Sequence, residues 1–502
     1  MTQGILFPPD AEWSPPTSFP DLTGQKEIAI DLETCDPWLM SHGPGWAFQD
    51  RGHVIGIAVA TEGWKGYFPI AHAAGGNLDE DVVRRWLQRQ LDAPNAKVFH
   101  NAQYDVGWLK ASDYTINGTI HDTMMAAPLL NENEYSYSLN NLGKHYLNEE
   151  KDETMLTEAA HAFGINPKSE MYKLEPKYVG MYAEQDADLT YRLWQVLKQG
   201  IATEDVGDIY KLETSLIDIL IGMRRMGVLI DTDKAEQVKK QILKEERKIL
   251  REIKRWYGIE PDLWAAQSLA QVFDRAGLEY PKTPKTQAPS FVANWLEEQE
   301  HKLPVAIAKA RKLNKARTTF IDKMILEHLV DGRIHGELHP LRSDNGGTVT
   351  GRFSCSNPNL QQVPARDPMI GNLIRSLFIP EPDFHWGCFD YSQQEPRLTV
   401  HYSVLTHQEG AQEAAMEYAF EDAEAKIINL GLSYGMGADK LTTQLGISPE
   451  EAELLFDQYH QRVPFIRGLR DSTSRMGSNR GFVKTLLGRK CRFNLYEPFD
   501  RR

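Results

Sequence analysis

The sequence has few cysteines, no long apolar run and no excess of positive charge. Its 502 residues include 4 cysteines, none in a C-x-x-C pair, so neither a disulfide framework nor a zinc ribbon is indicated. No segment approaches the roughly 18 apolar residues that a membrane-spanning helix requires. The first residues also lack the basic-then-apolar order of a secretory signal. A reducing, cytoplasmic setting without a membrane partner is therefore predicted.

The net charge of -14 would disfavour nucleic-acid binding if it were spread evenly, but it is not. Residues 302–375 hold 12 basic and 6 acidic side chains. A protein that binds a phosphate backbone needs a focused basic stripe rather than a basic total. Overall acidity is also typical of chains whose carboxylates gather around divalent metals. Nucleic acid therefore stays open as a partner.

The spacing of apolar residues divides the chain into an α/β part and a mainly helical part. After a proline-rich lead-in (1–25), short runs such as EIAIDLET and HVIGIAVAT alternate with helical patterns. This alternation predicts an α/β domain over residues 26–204. Residues 205–334 show helical spacing on a charged background. Brief strand-like segments return from about residue 335, before helical patterns resume.

Four carboxylates and a tyrosine occur in three segments of the α/β part. Asp31 and Glu33 are two positions apart in a predicted strand, so both side chains point to one face. Asp105 ends the segment NAQYD, and Tyr182 and Asp186 share one helix face. Such a set can hold two Mg²⁺ or Mn²⁺ ions about 4 Å apart for phosphodiester hydrolysis, with the tyrosine orienting the attacking water. A lone D-x-E is usually a surface strand, so the order of all three segments carries the prediction.

The order D-x-E, N-x-x-Y-D, Y-x-x-x-D resembles the proofreading 3′–5′ exonucleases of the DEDD group, tyrosine subclass. The resemblance covers about residues 25–200 and implies a ribonuclease H-like fold. It also implies an activity that hydrolyses DNA from a single-stranded 3′ end. It implies that the four carboxylates are the metal ligands. Asn101 and Gln103 are further candidates for contacts to the DNA end, whereas Asp122 is expected to be structural.

A second group of motifs lies beyond residue 345. HWGCFDYSQQEPRL predicts a strand that ends at Asp390 and is followed by a helix carrying Glu395; a rigid strand end suits a metal-binding carboxylate. GGTVTGRFSCSNPNLQQVP supplies the hydroxyl and amide groups that contact duplex backbone and minor groove. AKIINLGLSYGMG places Lys426, Leu430 and Tyr434 on one helical stripe. That stripe could take a triphosphate and a base, or form a half-buried helix with a snorkelling lysine.

Together these segments resemble family A DNA polymerases over about residues 200–502. The resemblance implies a mainly helical right-hand domain with a small palm sheet. The thumb would span 205–334, the fingers 403–475, and the incomplete palm 335–402 and 476–502.

The same resemblance implies roles for individual residues. Asp390 would be one of two palm metal ligands, and Glu395 would exclude ribonucleotides. The remaining nucleotide contacts would come from Arg375, Lys426, Leu430 and Tyr434. The contacts to primer and template would come from Thr350, Arg352, Asn359, Gln361, Lys312, Lys315 and Arg489.

The partners implied are primer-template DNA, a single-stranded 3′ end, dNTPs and two Mg²⁺ (or Mn²⁺) ions per active site. No 5′-nuclease domain precedes the exonuclease, as in phage-type members. The cytoplasmic setting predicted above would be the host cytoplasm if the protein is encoded by a phage. A processivity or replisome partner is also possible, and its identity is left open.

Three departures from the family pattern bear on polymerisation. The second palm motif, H-D-E, is not found; Asp390 and Lys426 are only 36 positions apart; and Leu430 stands where an aromatic residue is usual. We therefore expect that stretches of a longer protein are missing from the sequence. Two alternatives stay open: an exonuclease whose polymerase-like half is inactive and only positions DNA, and a non-catalytic primer-template binding protein.

Overall fold

The computed structural model describes residues 9–341, 346–365, 367–412, 431–432 and 436–493. The chain forms two compact units, Met1–Trp386 and Gly387–Arg502.

A five-stranded sheet organises the first part of the first unit. Its strands lie in the order β3-β2-β1-β4-β5. The central strand, β1, pairs antiparallel with β2 and parallel with β4. Because helices cover the sheet, residues 28–30 of β1 are completely buried, which explains their near-continuous apolar run. The strands are β1 (Glu27–Cys35), β2 (His53–Thr61), β3 (Trp64–Pro69), β4 (Ala96–Phe99) and β5 (Ile120–Asp122).

Nine α-helices accompany this sheet in the described part of residues 9–226. The longest, α7, packs across β1, β2 and β3 with its apolar face inward. The alternation of strands and helices confirms the predicted α/β domain. The helices are α1 (Leu39–His42), α2 (Glu80–Asp92), α3 (Ala102–Ala111), α4 (Thr123–Leu130), α5 (Leu139–Leu147), α6 (Thr154–Phe163), α7 (Gly180–Thr203), α8 (Gly207–Ser215) and α9 (Ile217–Met226).

Helices α8 and α9 share the apolar core of the sheet, although they follow α7 in the chain. The Tyr210 hydroxyl accepts a hydrogen bond of 3.0 Å from the backbone N–H of Asp122 at the end of β5. The Arg224 side chain is 1 % exposed. It donates to the carbonyl oxygens of His42 and His335, each at 2.8 Å. These bonds join the α/β domain to the segment around residue 335.

The remainder of the first unit is mainly helical, as predicted. The long helix α10 has a charged outer face, and its inward residues pack with α11 and α13 in a separate apolar core. A π-helical segment, Ala316–Leu326, continues α13. The helices are α10 (Thr232–Tyr257), α11 (Ala266–Ala276), α12 (Ala293–Glu297), α13 (Lys302–Lys315) and α14 (Gly371–Arg375). The short strands are β6 (Val228–Leu229), β7 (Leu329–Val330), β8 (Arg333–Ile334), β9 (Glu337–His339) and β10 (Ser354–Ser356).

The second unit contains helices and one small hairpin within its described residues. The helices are α15 (Gln394–Leu405), α16 (Ala438–Leu445), α17 (Pro449–Arg462) and α18 (Pro464–Arg480), and the hairpin joins β11 (Phe482–Lys484) to β12 (Lys490–Arg492). Over the described parts of both units, no helix is long and apolar enough to cross a membrane.

The prediction of a strand that ends at Asp390 is wrong. Residues 384–391 are described and contain no regular secondary structure, while the following helix is present and begins at Gln394. A strand requires a neighbour that satisfies its backbone N–H and C=O groups. No described strand pairs with this segment, which explains why its β-like composition does not produce a strand.

Candidate metal centre

Strand β1 holds Asp31 and Glu33 at the middle of the sheet. In the pairing register, Asp31 lies opposite Ala58 and Glu33 opposite Gly56 of β2. Gly56 has no room for a side chain, since a Cβ there would lie 2.1 Å from the Tyr67 hydroxyl oxygen. The part of β2 that lies opposite both carboxylates is therefore tightly packed against Tyr67 of β3.

Helix α7 brings a third carboxylate to this strand. Oxygens of Asp31, Glu33 and Asp186 lie within 4.8 Å of one another. Glu33 and Asp186 are buried, and Asp31 is partly exposed. Tyr182 stands one helical turn before Asp186 on the same face of α7. We call Asp31, Glu33 and Asp186 the carboxylate group.

The fourth predicted ligand, Asp105, lies beside the carboxylate group but is not part of it. Asp105 is in the first turn of α3 and is buried. Its Oδ1 accepts a 3.0 Å hydrogen bond from the backbone N–H of Leu32, the residue between Asp31 and Glu33. The structure therefore attaches Asp105 to the same strand segment through the backbone.

Two oxygen atoms of the carboxylate group are buried and lack a hydrogen-bond donor. They are Oε1 of Glu33 and Oδ1 of Asp186. A buried polar atom without a partner is costly, and carboxylate oxygens are the ligands that hard divalent cations prefer. These residues therefore fit a divalent cation such as Mg²⁺ or Mn²⁺.

Burial and mutual repulsion alter the acidity of these carboxyl groups. Burial, with repulsion from Asp186, raises the pKa of Asp31 to about 7. Burial and the neighbouring carboxylates raise the pKa values of Glu33 and Asp105 well above their usual range. Burial also raises the pKa of Asp186, although the ammonium of Lys151 opposes that rise. A bound cation would stabilise all four in the ionised form.

Lys151 is a functional candidate that the sequence analysis missed. Its Nζ donates to Oδ2 of Asp186 at 2.5 Å and to the Tyr182 hydroxyl at 3.2 Å, and lies 4.4 Å from the centre of the Tyr182 ring. Its side chain is only 9 % exposed. In the sequence, Lys151 is one lysine in the acidic stretch NEEKDE, without a spacing that relates it to Asp186.

The loop that carries Lys151 is attached to the neighbouring helices. The backbone N–H of Lys151 donates to Oδ1 of Asn140 at 2.9 Å, and that of Asp152 donates to Oε1 of Gln185 at 2.8 Å. The Gln185 amide in turn donates to the carbonyl oxygen of Glu150 at 3.3 Å. These three bonds hold Lys151 against the carboxylate group.

The side chains of Asn101 and Gln103 line a cavity of about 380 Å³. His339 and Ser356, from the strands β9 and β10, also line this cavity. Asp122, which was expected to be structural, accepts hydrogen bonds from four backbone N–H groups at the starts of α3 and α4. The cavity is thus formed by the α/β domain together with the segment that follows the helical region.

Most predicted polymerase residues of the first unit make local contacts. The Asn359 side chain accepts from the Gln361 N–H at 3.1 Å, and the Gln361 amide donates to the Phe353 carbonyl at 3.0 Å. Lys312 pairs with Glu297 at 3.0 Å. Lys315, Thr350 and Arg352 are exposed, and Arg375 ends α14.

The predicted polymerase residues of the second unit are only partly described. Asp390 is exposed, and Glu395 lies in the first turn of α15. Arg489 lies in the hairpin turn, where its carbonyl accepts from the Thr485 N–H at 2.8 Å. The stripe predicted at Lys426, Leu430 and Tyr434 lies outside the described residues.

Two protein-family models match the chain. The model for DNA polymerase family A matches residues 232–498, and the model for 3′–5′ exonuclease matches residues 21–202. The exonuclease match lies in the α/β part of the chain, and the polymerase match lies in the mainly helical part that follows. The carboxylate group lies in the second match, and all predicted polymerase residues lie in the first.

Several curated proteins resemble the chain over nearly its whole length. A DNA-directed DNA polymerase of Pseudomonas phage M6 is 33% identical, with 96% of this chain and 83% of the relative covered. DNA polymerase DpoZ of Salmonella phage PMBT28 is 29% identical, covering 95% and 83%. DNA polymerase I of Pseudomonas aeruginosa is 28% identical, covering 94% and 55%. The phage M6 alignment spans 561 positions, more than the 502 residues here, so that relative has internal segments without a counterpart in this sequence.

A solved structure has the same fold. It is the POL domain of Pol1 from M. smegmatis in complex with DNA primer-template and dNTP. The match has a TM-score of 0.70 at 23% sequence identity and covers 94% of this chain and 79% of the other.

Proposed function

The chain belongs to DNA polymerase family A and carries a 3′–5′ exonuclease domain, and from this premise we propose that the carboxylate group is the metal centre of the exonuclease. The observation that carries the proposal is the pair of buried oxygens, on Glu33 and Asp186, that lack a donor. Two such oxygens on carboxylates whose atoms lie within 4.8 Å of one another are suited to bind a cation.

Asp31, Glu33 and Asp186 would hold one divalent ion, and Asp105 would contribute to a second beside them. When bound, such ions lower the pKa of a water molecule and stabilise the leaving oxygen of a phosphodiester. Tyr182 would orient the attacking water through its hydroxyl. Burial and the nearby Asp186 raise the pKa of Tyr182 well above its usual range, so that hydroxyl stays protonated at neutral pH.

The 3′ end of single-stranded DNA would reach this centre along the cavity lined by Asn101 and Gln103. Both residues are at the start of α3, the helix that also carries Asp105. The Asn101 amide could donate to bases or sugars without demanding one sequence. Gln103 is buried and its amide donates to the Leu338 carbonyl at 3.3 Å, so its contact to DNA would share that amide. Because two of the relatives are phage proteins, we propose that the enzyme acts on DNA inside a host cell.

In the polymerase half, Asp390 would bind a catalytic metal and Glu395 would discriminate against ribonucleotides. Arg375 and Lys426 would hold the triphosphate, with Leu430 and Tyr434 beside the incoming and templating bases. The support is that the family A match spans all of these positions. Duplex phosphates and grooves would be bound by Thr350, Arg352, Asn359, Gln361, Lys312, Lys315 and Arg489.

A second candidate function is an exonuclease whose polymerase half only positions DNA. The observation that favours it is the exposure of Asp390 on a segment without regular structure. Two-metal phosphoryl transfer requires rigid carboxylate supports, and a solvated aspartate alone does not provide them.

A primer-extension experiment distinguishes these functions. A 5′-labelled primer on a longer template is incubated with Mg²⁺, with and without the four dNTPs. A proofreading polymerase shortens the primer without dNTPs and extends it with them, whereas shortening in both reactions supports the second candidate.

The D31A/E33A double variant should lose shortening, while D81A, which changes an exposed aspartate of α2, should retain it. Shortening that survives in D31A/E33A would contradict the proposed metal centre.

A further inference from the structure

The ammonium of Lys151 binds Oδ2 of Asp186, one of the carboxylates that the proposed function assigns to a metal ion. It is nearly buried, it contacts Oδ2 of Asp186 at 2.5 Å, and the loop that carries it is attached to α5 and α7. Resting on the proposed metal centre, we infer that Lys151 is a built-in competitor for the divalent cation, which can bind Asp186 fully only as Lys151 withdraws.

Two roles for this lysine would have opposite effects on metal affinity. Lys151 could orient Asp186, leaving Oδ1 free for the cation; removing a residue that orients a ligand weakens metal binding. Alternatively, its charge could oppose the cation, and removing it would then strengthen binding. With the cation bound, the Lys151 ammonium and the divalent ion would share the buried carboxylate of Asp186. The repulsion between these two positive charges is strong in a poorly solvated site. The electrostatic effect should therefore exceed the orienting effect.

The structure also provides a place for the displaced ammonium. Oε1 of Glu153 lies 3.9 Å from Nζ of Lys151, on the same loop. A small rotation of the lysine side chain toward Glu153 would keep one ion pair while releasing Oδ2 of Asp186, so that both oxygens of this carboxylate could bind the cation. Competition therefore does not require the loop to detach from α7.

Lys168 is a natural matched control. Its Nζ also pairs with Oε1 of Glu153, at 3.2 Å, but its side chain is 65% exposed. Its charge acts on Glu33 only as the weakest of several electrostatic influences. The two lysines thus share one partner and differ in whether they touch Asp186.

The test measures Mn²⁺ binding to the full chain without DNA, by the loss of the electron paramagnetic resonance signal of free Mn²⁺. We expect K151M to lower the Kd for Mn²⁺ by about tenfold or more, the effect of one neighbouring charge on a carboxylate. K151R, which keeps the charge, and K168M should both bind like the wild type. If K151M does not fold, as judged by circular dichroism, K151Q replaces it.

The outcomes separate this inference from the proposed function. If the wild type binds Mn²⁺ and K151M binds equally or more weakly, the competition is overturned while the metal centre stands. If neither protein binds more Mn²⁺ than D31A/E33A, both proposals fail. Binding that appears only in K151M would support the competition.

Discussion

Replacing Asp31 with asparagine should stabilise the metal-free protein, although it destroys a proposed metal ligand. The asparagine keeps the shape of the side chain and removes a charge that the fold disfavours. The pKa of Asp31 is about 7 in the folded protein, against an ordinary value of 3.8. That difference corresponds to about 4 kcal/mol of lost stability at about pH 8, when the carboxylate is ionised in both states.

The stabilisation should depend on pH in a defined direction. Because the folded-state pKa of Asp31 is raised, the wild type is most stable below the unfolded value and loses stability as the pH rises toward about 7. Near pH 5 the same linkage leaves a gain of only about 2 kcal/mol for D31N. The variant should therefore be favoured more at pH 8 than at pH 5.

Urea unfolding with EDTA present, followed by tryptophan fluorescence, measures this difference. D81N serves as the control, since Asp81 is exposed in the first turn of α2; it should change little with pH. Mg²⁺ added in excess of the EDTA should stabilise the wild type by mass action and D31N much less. A D31N protein no more stable than the wild type at pH 8 would refute the reasoning.

Three further predictions concern separate parts of the chain. Y182F should reduce the exonuclease rate about a hundredfold in single-turnover assays. It should not weaken Mn²⁺ binding, measured by electron paramagnetic resonance. K315A should lower the salt dependence of duplex binding by about one ion, and K312A by less, because Lys312 is paired with Glu297; equal slopes would contradict this. G56A should cost roughly 1–3 kcal/mol of stability in urea unfolding, since its Cβ would meet the Tyr67 hydroxyl; an unchanged midpoint would contradict the packing.

The parts of the centre that could be predicted from the sequence are local. Asp31 and Glu33 are neighbours on one face of a strand, and Tyr182 and Asp186 are neighbours on one face of a helix. These relations depend only on the period of the element that carries them. To predict that this strand and this helix form one site, the order of the motifs along the chain was needed as well.

Lys151 could not be predicted because its position depends on contacts distant in sequence. Its loop is placed by hydrogen bonds to Asn140 on α5 and Gln185 on α7. Such contacts leave no periodic pattern in the residues around the lysine. The strand predicted before Asp390 was wrong for a related reason, since a strand also depends on a partner elsewhere in the chain.

The bonds made by Tyr210 and Arg224 have a consequence for how this protein can be recombined. A cassette ending at Thr203, the last residue of α7, would leave behind the hydroxyl that pairs with the Asp122 N–H and the apolar faces of α8 and α9. A graft extended through α9 would carry a buried arginine whose acceptor at His335 remains in the donor protein. Transplantation of the proofreading module therefore needs a junction beyond His335, or a hydrophobic replacement for Arg224.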